Sequence, residues 1–218
     1  MASYRFLLSE DRISPGGWAQ ILTGGANRVM FCLQGSVGLG DGRSIAVHDG
    51  ALAMGNTHLQ TGHDGAILWR WELVHGDEEI TEEIAGVTSR VLCEAELELD
   101  EGEDYVMRLE SIGLPPEDSL PEHKLMGPAI AALMQGELLV RHGMQSSKIG
   151  PVEAWFDNAE SATSLEVKDE EPTAFIRCLL LPAVQHGEPA MRYLASLPDD
   201  AEEAKRFHKT YVDDVVIV

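Results

Sequence analysis

Between Trp18 and Val74 the chain alternates short apolar runs with glycine: WAQILT, GG, RVMFCLQ, G, SVGLG, DG, RSIAVH, DG and ALAMG, before a longer run, GAILWRWELV. Runs of this length broken by Gly and Asp-Gly predict short strands joined by tight turns, the pattern of an all-β sandwich or barrel. In the longer run the period is two. Ile67, Trp69, Trp71 and Leu73 fall on one face, and Leu68, Arg70 and Glu72 on the other.

A polar break, HGDEEITEE at 75–83, reads as a solvated linker. Strand patterns resume with TSRVLCEAELEL, a DEGED loop, and YVMRLESIGL, in which Tyr105, Met107 and Leu109 alternate with Val106, Arg108 and Glu110. A Pro-rich loop leads into PEHKLMGPAIAALMQG (Pro121 to Gly136), then ELLVRHG, GPVEAWFD, TSLEVKD and TAFIRCLLLPA. The tail changes character. Pro198-Asp199-Asp200 marks a helix start with Ala201 to Lys209 as its body, and the chain ends on an apolar strand, VDDVVIV. This divides the chain into an N-terminal barrel at 1–80, a C-terminal barrel at 81–185, and an extension at 186–218 that packs on a barrel or a partner subunit.

Three features recur in order. Leu33-Gln34-Gly35 returns as Met134-Gln135-Gly136, Gly50 as Gly150, and the strand around Arg70 as the strand around Arg177. Turn glycines at matching spacing, with similar strands between them, indicate two fused copies of one β barrel.

Composition narrows the function. With 16 basic against 37 acidic residues the formal charge is −21, a surface that repels phosphate backbones and anionic membranes, so neither is an expected partner. No apolar run approaches the ~18–20 residues of a membrane span, and the first residues lack a basic segment followed by an apolar one, so a cytoplasmic location is expected. Cys32, Cys93 and Cys178 are odd in number and form no CxxC pair, which reads as buried thiols rather than a disulfide or zinc framework. No P-loop, GxGxxG, HExxH or Ser-His-Asp pattern appears.

The glycine spacing and strand pattern resemble the cupin superfamily, whose first motif is G-x5-H-x-H-x3,4-E-x6-G and second G-x5-P-x-G-x2-H-x3-N. Placed on Gly136, the first motif puts His123 at the first histidine, Leu125 at the second and Ala129 at the glutamate; from Gly150 the last histidine falls on Ser161, within a residue or two. In the first half Arg28 stands at the glutamate and Thr23 or Gly24 at the second histidine, while Thr61 takes the second motif's histidine with His58 and His63 nearby. The resemblance implies a bicupin of two jelly-roll (double-stranded β-helix) barrels. It also implies the family's metal site with most ligands replaced, so no cofactor is expected. The alternative is a divalent transition metal at His123 with Glu122 or His142 as other ligands.

The candidate site residues follow. His123 is the candidate acid/base, since imidazole titrates near neutrality. Arg70 and Arg177 hold matching places in apolar strands, where a guanidinium either faces solvent or pairs with a carboxylate from the protein or from an anionic ligand. Arg28, in place of a carboxylate, is a further anion-binding candidate, as are Glu122 and Trp155 for ligand contacts; Trp155, Phe156, Trp69 and Trp71 also read as barrel core. The expected function is binding of a small anionic or carbonyl-containing molecule in the C-terminal barrel, with non-oxidative isomerase, cyclase or lyase chemistry. A metal-dependent dioxygenase-like enzyme and a non-catalytic sensor or scaffold are the alternatives. Exposed sheet edges favour a homodimer.

Overall fold

A computed structural model describes residues 1–22, 27–76, 78, 81–168, 170–194 and 206–217. The chain forms two compact units, Met1–Gly102 and Glu103–Ile217, and both are built from antiparallel strands. In the first, strands β1 (Ala2–Leu22), β2 (Asn27–Leu39), β3 (Ser44–Ala46), β4 (Gly50–Met54), β5 (Thr57–His75) and β6 (Thr81–Leu99) pair in the order β3-β2-β5-β1-β6, with β4 also on β2. The second unit breaks the same path into two sheets. One is β11 (Gln145–Ile149), β10 (Leu138–His142), β13 (Thr163–Val167), β8 (Ser119–Leu125) and β15 (Met191–Tyr193); the other is β12 (Ala154–Asp157), β9 (Ala129–Gln135), β14 (Thr173–Pro182), β7 (Asp104–Leu114) and β16 (Phe207–Ile217). The long strands β1, β2, β5 and β6 thus each do the work of two strands in the second unit.

The matched glycines explain the repeat. Gly35 and Gly136 both have positive φ (+76° and +85°), and a Cβ there would lie 2.1 Å from the Gly65 carbonyl oxygen and 2.3 Å from Thr173 Oγ1. Only glycine fits both the conformation and the space. The chain can therefore turn at the same point of both units, after a strand that pairs with the next-to-last long strand.

Two boundaries differ from the sequence reading. The division falls after Gly102 rather than at 80/81, because β6 pairs with β1 from Ala2↔Leu99 to Leu22↔Thr81 and so covers the edge that β1 would otherwise expose. The residues after 185 are the same closing strands in the second unit: β15 pairs with β8 and β16 with β7. Of the expected helix, residues 198–205 lie outside the described residues, whereas Phe207–Lys209 are strand, drawn into the ladder on β7.

Alternation sets what faces inward. In β14, Phe175, Leu179 and Leu181 join apolar clusters of the second unit, which places Arg177 on the same inner face. In β7, Val106, Ile112 and Leu114 do the same and carry Arg108 and Glu110 with them. Charged residues embedded in apolar strands thereby end inside the barrel.

Candidate functional site

Three rows of paired side chains, one on one sheet and two on the other, frame the site in the second unit. Across one sheet, His142, Thr163, His123 and Tyr193 are directly paired neighbours. Across the other, Trp155, Ala131, Arg177 and Glu110 form one row, with Asp157, Ala129, Leu179 and Arg108 in the next.

His123 is 1% exposed. Its Nδ1 lies 2.8 Å from the Pro121 carbonyl oxygen; that oxygen only accepts, so Nδ1 carries the proton and Nε2 keeps a lone pair. Burial pushes the imidazole's pKa down and the positive charge of Arg177 adds to this, outweighing the Pro121 bond and Asp157. His123 is thus held as a neutral base, its ring edge-on to Tyr193 with centroids 6.2 Å apart.

Asp157 gathers three donors: His142 Nε2 at 2.7 Å, Trp155 Nε1 at 2.9 Å and Thr163 Oγ1 at 2.9 Å. Burial would raise its pKa, but the bonds from His142 and Thr163 and the field of Arg177 reverse that and hold it ionised. Trp155 packs on Phe175 at 5.4 Å and belongs to the core, so of its two readings the structure takes the packing one.

Arg177 donates from Nε to Glu110 Oε1 at 2.9 Å and from Nη2 to the same oxygen. The other oxygen, Oε2, lies 2.8 Å from His208 Nε2. Burial alone would raise the Glu110 pKa; the opposite charge of Arg177 and the His208 bond overturn it and bring it to about 2. Beside this cluster lies a cavity of about 300 Å³, lined by Glu110 and Arg177, by Tyr193, Arg206 and His208, and by an apolar wall of Ile112, Leu120, Pro189, Ala190, Met191 and Phe207. Arg108 anchors that wall, gripping Asp213 on β16 (2.7 and 3.1 Å) and the carbonyls of Gln185 and Glu188 at 2.8 and 2.6 Å.

The remaining candidates separate from this site. Glu122 is exposed on the opposite face of β8 from His123, as strand alternation requires. Arg28 and Arg70 are saturated by protein groups in the first unit. Arg28 donates to Glu72 Oε1 (2.9 Å), Thr57 Oγ1 (2.7 Å) and the Gly55 carbonyl. Arg70 donates to both oxygens of Asp11 (2.8 and 3.2 Å) and to Glu72. In register, Arg28, Glu72 and Arg70 stand where the second unit has Ala129, Leu179 and Arg177, so of these three charged positions the second unit keeps one, Arg177, which pairs with Glu110 instead.

The residues do not fit a cupin metal. Leu125 and Ala129 are buried in an apolar cluster with Val106, Leu179 and Leu181. Ser161 is exposed, and the residue opposite His123 in register is Thr163, whose hydroxyl is committed to Asp157. His142 Nε2 is likewise bonded to Asp157. Among the described residues no group of three or more His, Cys, Asp or Glu is placed to hold an ion.

Four residues of the site escape a reading of the sequence: Glu110, Tyr193, Arg206 and His208. Glu110 left one signal, a charge in the inward register of an apolar strand. His208 left none, because it meets Glu110 only through the β16–β7 ladder, 98 residues away.

The sequence matches no protein-family model and no curated protein. The structure is similar to AerE from Microcystis aeruginosa, with a TM-score of 0.60, 13% identity, and 81% of this chain and 87% of that one covered. It is similar to the oxalate decarboxylase OxdC from Bacillus subtilis, at TM-score 0.63 and 11% identity over 91% and 75% of the two chains. The oxalate decarboxylase from Lactobacillus farciminis, solved as a formate complex, gives TM-score 0.60 and 12% identity over 86% and 79%. Identities this low establish a shared fold. No helix among the described residues is long and apolar enough to cross a membrane.

Proposed function

From the premise that the chain has the two-barrel cupin fold, we propose that its second unit binds a small organic anion with an apolar body, and that it does so without a metal. The observation that carries this reading is Arg177 on the wall of the 300 Å³ cavity. Its Nε and Nη2 are spent on Glu110, and among the described residues Nη1 has no hydrogen-bond partner. A guanidinium pinned on one edge presents a fixed donor on the other, which suits a carboxylate. The apolar wall then takes the rest of the molecule, and the volume stands at the small end of the ~300–1,000 Å³ typical of ligand pockets.

The chemistry that suits such a bound molecule is non-oxidative proton transfer, of the isomerase, cyclase or lyase kind, and His123 stands behind the cavity wall rather than against the ligand. It is neutral, oriented by Pro121, and separated from the cavity by Tyr193, which touches both. The first unit, its interior filled by the Arg28–Glu72–Arg70–Asp11 chain, serves as scaffold.

The test is calorimetric or NMR titration of the full chain with benzoate and with benzyl alcohol. Benzoate is expected to bind saturably and the uncharged alcohol at least tenfold more weakly. Arg177→Lys, which keeps the charge but loses the fork, and Ala190→Leu, which fills the cavity without touching the ion pair, should each weaken benzoate at least tenfold. Benzoate binding indifferent to both substitutions would sink the reading.

A further inference from the structure

We infer that the cavity of the second unit takes its carboxylate together with one proton, and that His208 is the group that holds this proton beside the ligand. The inference rests on the cavity reading above and goes on to name the ionic form of the ligand complex and the residue that sets it.

Among the described residues the charges around His208 cancel. On β7 and β14 the facing groups are Glu110 and Arg177, which form one ion pair. From its own strand side comes Arg206, which makes a two-bond pair with Asp118 in the loop before β8, at 2.7 and 2.9 Å. Tyr193 on β15 contributes a neutral phenol to the same lining. Lys209, the next residue, points away on the other face of β16 and stands 4.1 Å over the Tyr211 ring. Among the described residues two guanidinium groups and two carboxylates sum to zero, and the imidazole is the group of this set whose charge changes on taking up one proton.

The tautomer follows from Glu110. That carboxyl is held ionised and accepts hydrogen bonds only, so His208 Nε2 carries a proton and donates it across the 2.8 Å contact. Nδ1 is then the ring nitrogen left with a lone pair, the only place on the ring where a further proton can attach. A carboxylate entering the cavity adds one negative charge to a neutral cluster with an apolar wall, where an uncompensated charge is costly. Taking up a proton at Nδ1 from solvent restores neutrality, and the half-exposed His208 side chain, 59% accessible, is open to that solvent. No bond other than N–H forms or breaks. The bound state is a carboxylate next to an imidazolium backed by a carboxylate, an arrangement in which a proton is already positioned for transfer to the ligand.

The experiment is isothermal titration calorimetry of the full chain with benzoate, from about pH 7 to about pH 9, at each pH in two buffers of different ionisation enthalpy. Uptake approaching one proton per benzoate is expected, with affinity falling about tenfold per pH unit over that range. Benzyl alcohol should bring no proton with it. In His208→Gln, whose amide still donates to Glu110, both the uptake and the pH dependence should vanish. Binding of benzoate without proton uptake by the wild-type chain overturns the inference and leaves the cavity reading standing. The same holds if uptake persists in His208→Gln, which would place the proton elsewhere. No benzoate binding at any pH overturns both. The wild-type measurement in two buffers needs no variant, so a poorly folded His208→Gln protein does not shield the inference.

Discussion

Replacing Glu110 with glutamine isolates the charge at the centre of the second unit. Glutamine has the shape of a protonated glutamate, so the variant mimics at every pH what the wild-type chain becomes only in acid. The folded-state pKa of Glu110 is lowered from the ordinary 4.5 to about 2. At about 1.4 kcal/mol per unit, this is about 3 kcal/mol of stability that the ionised carboxylate provides. Because the folded value lies below the unfolded one, the contribution is complete above the unfolded pKa and is lost as pH falls towards the folded pKa. By pH 3 about 2 kcal/mol of it should be gone. Urea unfolding of both proteins, followed by tryptophan fluorescence between pH 7 and pH 3, reads the difference directly. Glu110→Gln should be about 3 kcal/mol less stable at pH 7, and the two curves should converge to within about 1 kcal/mol at pH 3. A gap that stays constant across this range, or one below about 1 kcal/mol at pH 7, would show that Arg177 and His208 do not stabilise the ionised form.

Other consequences can be checked alongside. His142 has its pKa raised by its hydrogen bond to Asp157, so its contribution to stability is present below its unfolded pKa and lost as pH rises through the folded one; in Asp157→Asn the His142 titration followed by NMR should move down, and an unmoved midpoint would refute the pairing. Arg108→Met removes the grip on Asp213 and on the carbonyls of Gln185 and Glu188. Loss of charge-assisted bonds at a buried arginine is on the order of 2–4 kcal/mol, and hydrogen exchange should rise in residues 183–193 and 207–217 ahead of the rest of the chain. Glu72→Gln leaves two buried guanidinium groups sharing one fewer carboxylate, a change expected to cost about 3–5 kcal/mol; thermal unfolding with a midpoint within a few degrees of wild type would contradict that. Dialysis against a chelator should leave the melting temperature unchanged, and a drop of more than about 5 °C that metal restores would refute the misfit of the donor set.

Much of the fold was legible because it rests on local chemistry. Glycines that tolerate positive φ, alternating apolar positions and short strand lengths are properties of neighbouring residues, and they led to the two-barrel all-β arrangement. Gly35 and Gly136 are the clearest case, since backbone crowding permits nothing larger at either. The domain boundary was not legible in the same way. The HGDEEITEE stretch is polar, and β6 that follows it has the alternation of any strand; whether such a strand opens the second barrel or closes the first depends on which edge is free to receive it.

The site divides along the same line. The sequence by itself determined that Arg177 lies in an apolar strand and that the cupin ligand positions carry His123, Leu125 and Ala129, because period and motif spacing are one-dimensional. Tertiary structure decided everything that depends on partners. Arg28 and Arg70 became members of a closed ion chain, Glu122 turned outward, and Trp155 joined the core. Glu110 and His208 met across 98 residues of chain. A side chain's charge is written in its identity, but whether that charge is spent or available is set by what lies within about 4 Å, and strand pairing between distant segments brings those neighbours together.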